Sequence, residues 1–271
     1  MSMNDDEVQQ AAGLLSAERL AALLTIAGTE RDALHLHDRM MAVAAALTPV
    51  TGIIEIALRN AICEQLRSTF GTHDWLTNPP PPFAWKGPEG ENLRRCTGFA
   101  QRAAYAKKSQ AEKKALDAVA FPNGVPANTS HEVRSKTRQK AINVTMGQLI
   151  AQLTLFFWKR LFSSDYEEAL WRRSLKRLFP NKRMGRADVA AHLEVIYQAR
   201  NRIAHHEPVY GDRLKEVLRS VDFILRNFGT PHPSDDAILK KMCRESWDAL
   251  EVAANDLEQA IARFNVAGPQ T

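Results

Sequence analysis

Apolar residues recur at three- and four-residue spacing along almost the whole chain, and no stretch keeps up the strict alternation of a half-buried strand. That periodicity restricts the fold to packed helices, so the expected class is all-α. The spacing and the local cap residues predict helices over about 16–27 (capped by Ser16), 30–47 and 51–70, with Thr48-Pro49 between the last two. Further helices are expected over about 91–119, from a Thr129-x-x-Glu132 capping box onward, over 145–162, and from Ser164 to before Pro180. The last three are expected at about 187–206, 211–228 and 234–264.

The stretch 72–90 holds four consecutive prolines and two glycines, which no helix accommodates. It predicts a division into N-terminal helices over 1–90 and a helical domain over 91–271, with the bundle formed mainly by 130–264. No internal repeat is present. With 271 residues, 45% of them apolar and 25% charged, the composition is that of an ordinary globular protein with a substantial core. The most apolar run is read as 145–158, too short for a membrane span, and the polar start MSMNDDEVQQ lacks the pattern of a signal peptide. A cytoplasmic protein with no membrane partner is therefore expected. The three cysteines, Cys63, Cys96 and Cys243, stand far apart and away from histidines, which predicts reduced thiols and no metal or other cofactor.

Positive charge is concentrated. Residues 94–140 hold eleven Lys and Arg against three acids, Glu112, Asp117 and Glu132, and residues 157–186 hold nine more basic residues against three acids. Such blocks attract polyanions, because neutralising phosphates supplies most non-specific nucleic-acid affinity. Lys107, Lys108, Arg134, Lys136, Arg138 and Lys140 are the candidate RNA contacts; a solvated helix face is the other reading of each block.

The densest chemistry lies in YQARNRIAHHEPVY, 197–210. Asn201 and His205 are four apart and share a helix face, and the long side chain of Arg200 reaches the same groove. Glu207 precedes a proline and is biased away from helical geometry, so His205 and His206 are placed at a helix end. These residue types suit cleavage of RNA, whose 2′-hydroxyl is already the nucleophile. A histidine moves the proton, an arginine fork holds the phosphate, and the asparagine amide orients either of them. The other reading is a set of solvated residues complementing a helix dipole. Metal ligation by His205-His206-Glu207 is disfavoured, because adjacent helical residues diverge. One helix carries one Arg/His set, so a homodimer with a composite groove is a natural construction.

The segment RNRIAHHEPVY resembles the R-N-x-x-x-H signature of HEPN domains, in particular the Abi-like abortive-infection proteins. Glu55-Ile56-Ala57-Leu58-Arg59-Asn60 with Phe70-Gly71 and Trp75-Leu76 resembles that family's N-terminal motif. Leu149 to Leu161 resembles its central aromatic helix, and Leu170-Trp171 and Leu178-Phe179-Pro180 follow in order. The resemblance spans about residues 45–230 and implies a HEPN-like helical bundle with additional N-terminal helices. It also implies homodimerisation and metal-independent endoribonuclease activity through Arg200, Asn201 and His205, with His206 supporting. A role as a toxin in phage defence or a toxin–antitoxin pair, restrained by an RNA or protein antitoxin, is implied as well. One departure stands out: nucleotidyltransferase-controlled relatives carry a tyrosine two residues past the histidine, and here that residue is Glu207.

Glu55, Arg59 and Asn60 carry two readings. Glu55 and Arg59 stand at ion-pair spacing, whereas Arg59-Asn60 repeats the Arg-Asn pair and suggests a place beside the RNA groove. Phe156, Phe157 and Trp158 are expected in the core, while Trp75 and Trp85 either stack on RNA or pack the proline loop. Two further functions fit the chain less fully: a non-catalytic HEPN-type module binding RNA or protein, and a DNA-binding regulator, for which no recognition-helix pattern is evident.

Overall fold

A computed structural model describes residues 3–266, and among them every regular element is a helix. The all-α expectation therefore holds. The residues group into two compact units, one made of Met1–Leu58 with Lys176–Thr271 and the other of Arg59–Leu175, so the boundary expected at residue 90 falls inside the second unit.

The first unit begins with α1 (Asp5–Leu15), which the periodicity did not predict. Asn4 and Glu7 form a reciprocal capping box at its start. Ser16 then caps α2 (Ala17–Ala27) as expected, its hydroxyl accepting from Arg19 N. The next element, α3 (Glu30–Phe70), departs from expectation by running unbroken through Pro49. Pro49 lies on the exposed side, where the carbonyl it leaves without a partner can be solvated. The neighbouring hydroxyls of Thr48 and Thr51 donate to the Ala44 and Leu47 carbonyls at 2.8 and 3.1 Å. This continuity makes α3 the one described helix long and apolar enough, by length and composition, to cross a membrane. Its most apolar window, not 145–158, is the most apolar run of the chain, and a third of that window is buried inside the protein.

Residues of α3 up to Leu58 belong to the first unit, and Leu36, Val43, Leu47 and Ile54 on one face are buried there. Between Gly87 and Arg160 lie α4 to α9 of the second unit. The first unit resumes with α10 (Arg186–Ala204) and α11 (Gly211–Asn227), which pair along their length. On α11, Leu214, Val217, Val221 and Ile224 recur at helical spacing and are all buried. Each such aliphatic side chain contributes about 1.5–3 kcal/mol of transfer free energy. The single helix expected over 234–264 is split at Cys243 into α12 (Ile238–Met242) and α13 (Arg244–Val266).

In the second unit α4 (Gly87–Ala106) stops before the expected 119, because Ser109 and Glu112 close a capping box that starts α5 (Gln110–Ala115). Then follow α6 (Asp117–Ala120) and α7 (His131–Lys140). The cap of α7 is Ser130, not Thr129, whose hydroxyl is spent on the Pro126 carbonyl. The apolar stretch expected as one helix forms α8 (Met146–Ile150) and α9 (Leu155–Arg160), broken around Leu153 and Thr154. Short 3-10 and π turns replace the helix expected before Pro180. These pieces wrap an aromatic core. Trp75 is 2% exposed, and Trp85 meets Trp75, Phe83, Phe157 and Tyr166 at ring separations of 4.8–6.1 Å while donating from Nε1 to the Leu76 carbonyl. Of the two readings of these tryptophans, loop packing is the one realised. Phe157 and Trp158 are core as expected.

Candidate active site

The signature sits where α10 ends. Ala204 is the last helical residue and His205 is the cap at φ −98°, while His206 turns left-handed at φ 55°. His206 N donates to the Ile203 carbonyl at 2.9 Å and Glu207 N to the Arg202 carbonyl at 2.7 Å. This is the 5→2, 6→1 pairing of a Schellman terminus, with histidine where glycine is the usual residue. An ion pair between Arg202 and Glu207 (3.2 Å) replaces the apolar contact that often accompanies the motif. Arg19, from α2, donates to the His206 carbonyl at 2.7 Å and ties the strap down. Sequence could not reveal Arg19, which lies 187 residues from its partner; the Arg202–Glu207 pair, five residues apart beside Pro208, was open to view.

The side chain of His205 is exposed, and those of Arg200 and Asn201 are half-buried. None of these three side chains makes a hydrogen bond or ion pair to another described residue, although His205 N donates to the Asn201 carbonyl at 3.1 Å. Arg202 is different: its Nε is buried without a hydrogen-bond partner, and its charge is held by Glu207. Behind the strap lies an apolar cavity of about 330 Å³, walled by Leu23, Met40, Ala44, Ile203 and Val209 with Arg19 and His37 among the polar lining. Burial holds the His37 imidazole below its ordinary pKa.

Glu55 lies on α3 in the first unit, and Arg59 and Asn60 belong to the second. The ion pair expected of Glu55 and Arg59 does not form, and Arg59 Nε donates to Asn60 Oδ1 at 3.2 Å instead. The cysteines are free thiols, with Cys96 and Cys243 buried and Cys63 half-buried. Among the described residues no three His, Cys, Asp or Glu side chains group so as to hold a metal ion.

The basic block over 94–140 is sorted by its three acids. Asp117 clamps both Arg134 and Arg138, the latter at 2.6 Å, and the two guanidiniums hold its carboxyl well below the usual range. Glu132 takes Lys136 at 2.6 Å and Glu112 takes Lys108 at 3.7 Å. Four of the six expected RNA contacts are therefore engaged within the fold, and Lys107 and Lys140 remain exposed with no such partner among the described residues.

The chain matches no known protein family, no curated protein and no solved structure.

Proposed function

We propose that this chain is a HEPN-type, metal-independent endoribonuclease, acting in the cytoplasm as a toxin of a phage-defence or toxin–antitoxin system. The observation that carries the reading is a hydrolytic set with nothing else to do. Arg200, Asn201 and His205 stand together at one helix end, and none of their side chains is hydrogen-bonded or ion-paired to another described residue, the bonds from His205 N to the Asn201 and Arg202 carbonyls being those of the helix backbone. Structural arginines in this chain behave differently, as Arg134, Arg138 and Arg202 are all paired with carboxylates.

In the reaction, the 2′-oxygen forms a bond to the adjacent phosphorus as its proton passes to the imidazole of His205. The bond from phosphorus to the 5′-oxygen breaks, and that oxygen takes a proton as it leaves. The guanidinium of Arg200 pairs with the non-bridging oxygens as charge builds on them, and Asn201 orients the phosphate or the imidazole. The products are a 2′,3′-cyclic phosphate, which opens to a 3′-phosphate, and a 5′-hydroxyl. His206 contributes chiefly through its backbone, by shaping the strap. A second copy of the chain is the partner this reading calls for, since one helix supplies one Arg/His set.

The test is RNA cleavage by purified protein in EDTA. Cyclic or 3′-phosphate ends are expected, with activity lost in Arg200→Ala and in His205→Ala. Full activity in both variants refutes the proposal, and tight RNA binding without any cleavage by the wild type would instead support a non-catalytic RNA-binding module.

A further inference from the structure

The arginines left over once the acids of 94–140 have chosen partners all lie on α4. Arg95 and Arg102 stand at i and i+7 on α4, with Phe99 between them at i+4, so the three share one helix face. Phe99 is a 43% exposed aromatic ring, and the Arg102 guanidinium carbon lies 5.8 Å from its centroid. Arg94 stands beside Arg95, and Lys107 caps the helix, about 18 Å along the axis from Arg95 at 1.5 Å per residue. Gln101 Nε2 donates to the carbonyls of Lys140 and Ile142, each at 3.2 Å, pinning the end of α7 against α4 roughly 120° round the helix from that face.

Arg94, Arg95, Arg102, Lys107 and Lys140 are all exposed, and none is paired with a carboxylate among the described residues. The two acids of α4 do not cancel this charge. Glu89 is 1% exposed and bound by Arg160 and Tyr166, and Glu91 alone is on the surface. An exposed aromatic ring flanked by free arginines along one line has the chemistry that single-stranded nucleic acid uses. Phosphates meet the guanidiniums while a base stacks on the ring. A duplex offers no unstacked base to Phe99, and an acidic protein has no need of the ring.

We infer that the Arg95–Phe99–Arg102 face of α4 is a binding platform for single-stranded RNA. None of its three residues is among the candidate RNA contacts that the sequence pointed to. The choice of RNA over DNA rests on the ribonuclease reading; the platform itself does not.

The experiment measures binding of a fluorescent single-stranded 12-mer RNA by anisotropy across a salt series. It uses the full chain carrying His205→Ala, in EDTA, so that cleavage does not interfere. Arg95→Ala and Arg102→Ala should each lower the slope of log affinity against log salt by about 0.7, the value for one lost phosphate on a single strand. Phe99→Ala should weaken binding about fivefold or more and leave the slope unchanged. Lys136→Ala, which removes a cation already held by Glu132, should change neither. All four positions are on the surface, so folding is checked simply by circular dichroism.

The inference is overturned if Arg95→Ala and Arg102→Ala leave slope and affinity intact. It is also overturned if Lys136→Ala costs as much as they do, or if duplex DNA binds more tightly than the single strand. Binding that follows this pattern in a protein that cuts no RNA would uphold the platform and sink only the nuclease.

Discussion

Two adjacent histidines at the end of α10 should respond to the same substitution with opposite sign. His206 holds φ 55°, where a side chain other than glycine costs about 1–2 kcal/mol, whereas His205 at φ −98° and ψ 10° sits in ordinary territory. Neither imidazole makes a hydrogen bond or ion pair among the described residues, and at both histidines the bonds that fix the strap use backbone atoms that any residue retains. Replacement by glycine also carries a general penalty of about 0.5–1 kcal/mol, from the greater freedom of the unfolded chain. His206→Gly should therefore stabilise the first unit by about 0.5–1 kcal/mol, and His205→Gly should destabilise it by a similar amount. In urea, with a slope of about 1–3 kcal/mol per molar, the two variants should unfold with midpoints about 0.5–1 M apart, on opposite sides of the wild type. Circular dichroism at 222 nm follows the transition. If His206→Gly destabilises the chain as much as His205→Gly, the left-handed residue is not the strained point of the terminus. RNA cleavage adds a second contrast, since only His205→Gly should abolish it.

Other consequences can be measured in the same way. Tyr166→Phe removes the 2.8 Å hydroxyl bond to Glu89, a 1% exposed carboxylate, and leaves one of its oxygens without that donor; about 2 kcal/mol should be lost from the second unit, read as a lower urea midpoint. Burial pushes the Cys63 thiol up to about 11, so at pH 8 this half-exposed cysteine should react with iodoacetamide far more slowly than a free thiol, with peptide mass spectrometry as the readout. Burial also depresses the His192 imidazole, which sits against Ser220 and stacks on Phe223 at 3.8 Å. Its contribution to stability is whole above the unfolded value near 6.5 and declines as pH falls through the lower folded value, so His192→Gln should lose less stability than wild type between pH 7.5 and pH 5.

Helical class was legible in the chain because one physical signal, apolar spacing near 3.6, dominates nearly every segment. The position of the signature was legible too: a proline at 208 and polar residues before it force a terminus near His205, and α10 ends at Ala204. Boundaries were lost wherever tertiary context overrode a local rule. Pro49 lies inside α3 because its side of the helix faces water. The stretch 145–162 is largely apolar and reads as one buried helix, but Gly147, Gln148, Ala151 and Thr154 are exposed and the helix breaks near Leu153 and Thr154, which its composition does not signal. The division into units was hidden for a topological reason: the first unit takes both ends of the chain, and its Arg19–His206 bond joins residues that no local pattern relates.

The basic block shows most clearly where sequence-level electrostatics stops. Counting eleven cations against three acids predicts a polyanion partner but weights each cation equally. The fold does not. A carboxylate flanked by two guanidiniums, as Asp117 is by Arg134 and Arg138, ties up more positive charge than its own formal value cancels. Cations fixed this way must surrender an existing partner before they can meet a phosphate, whereas Arg95 and Arg102 need only release counterions. The cations best placed for RNA are therefore those the acids do not reach, and α4 presents them in line because the acid buried nearest its start, Glu89, is turned inward to Arg160 and Tyr166.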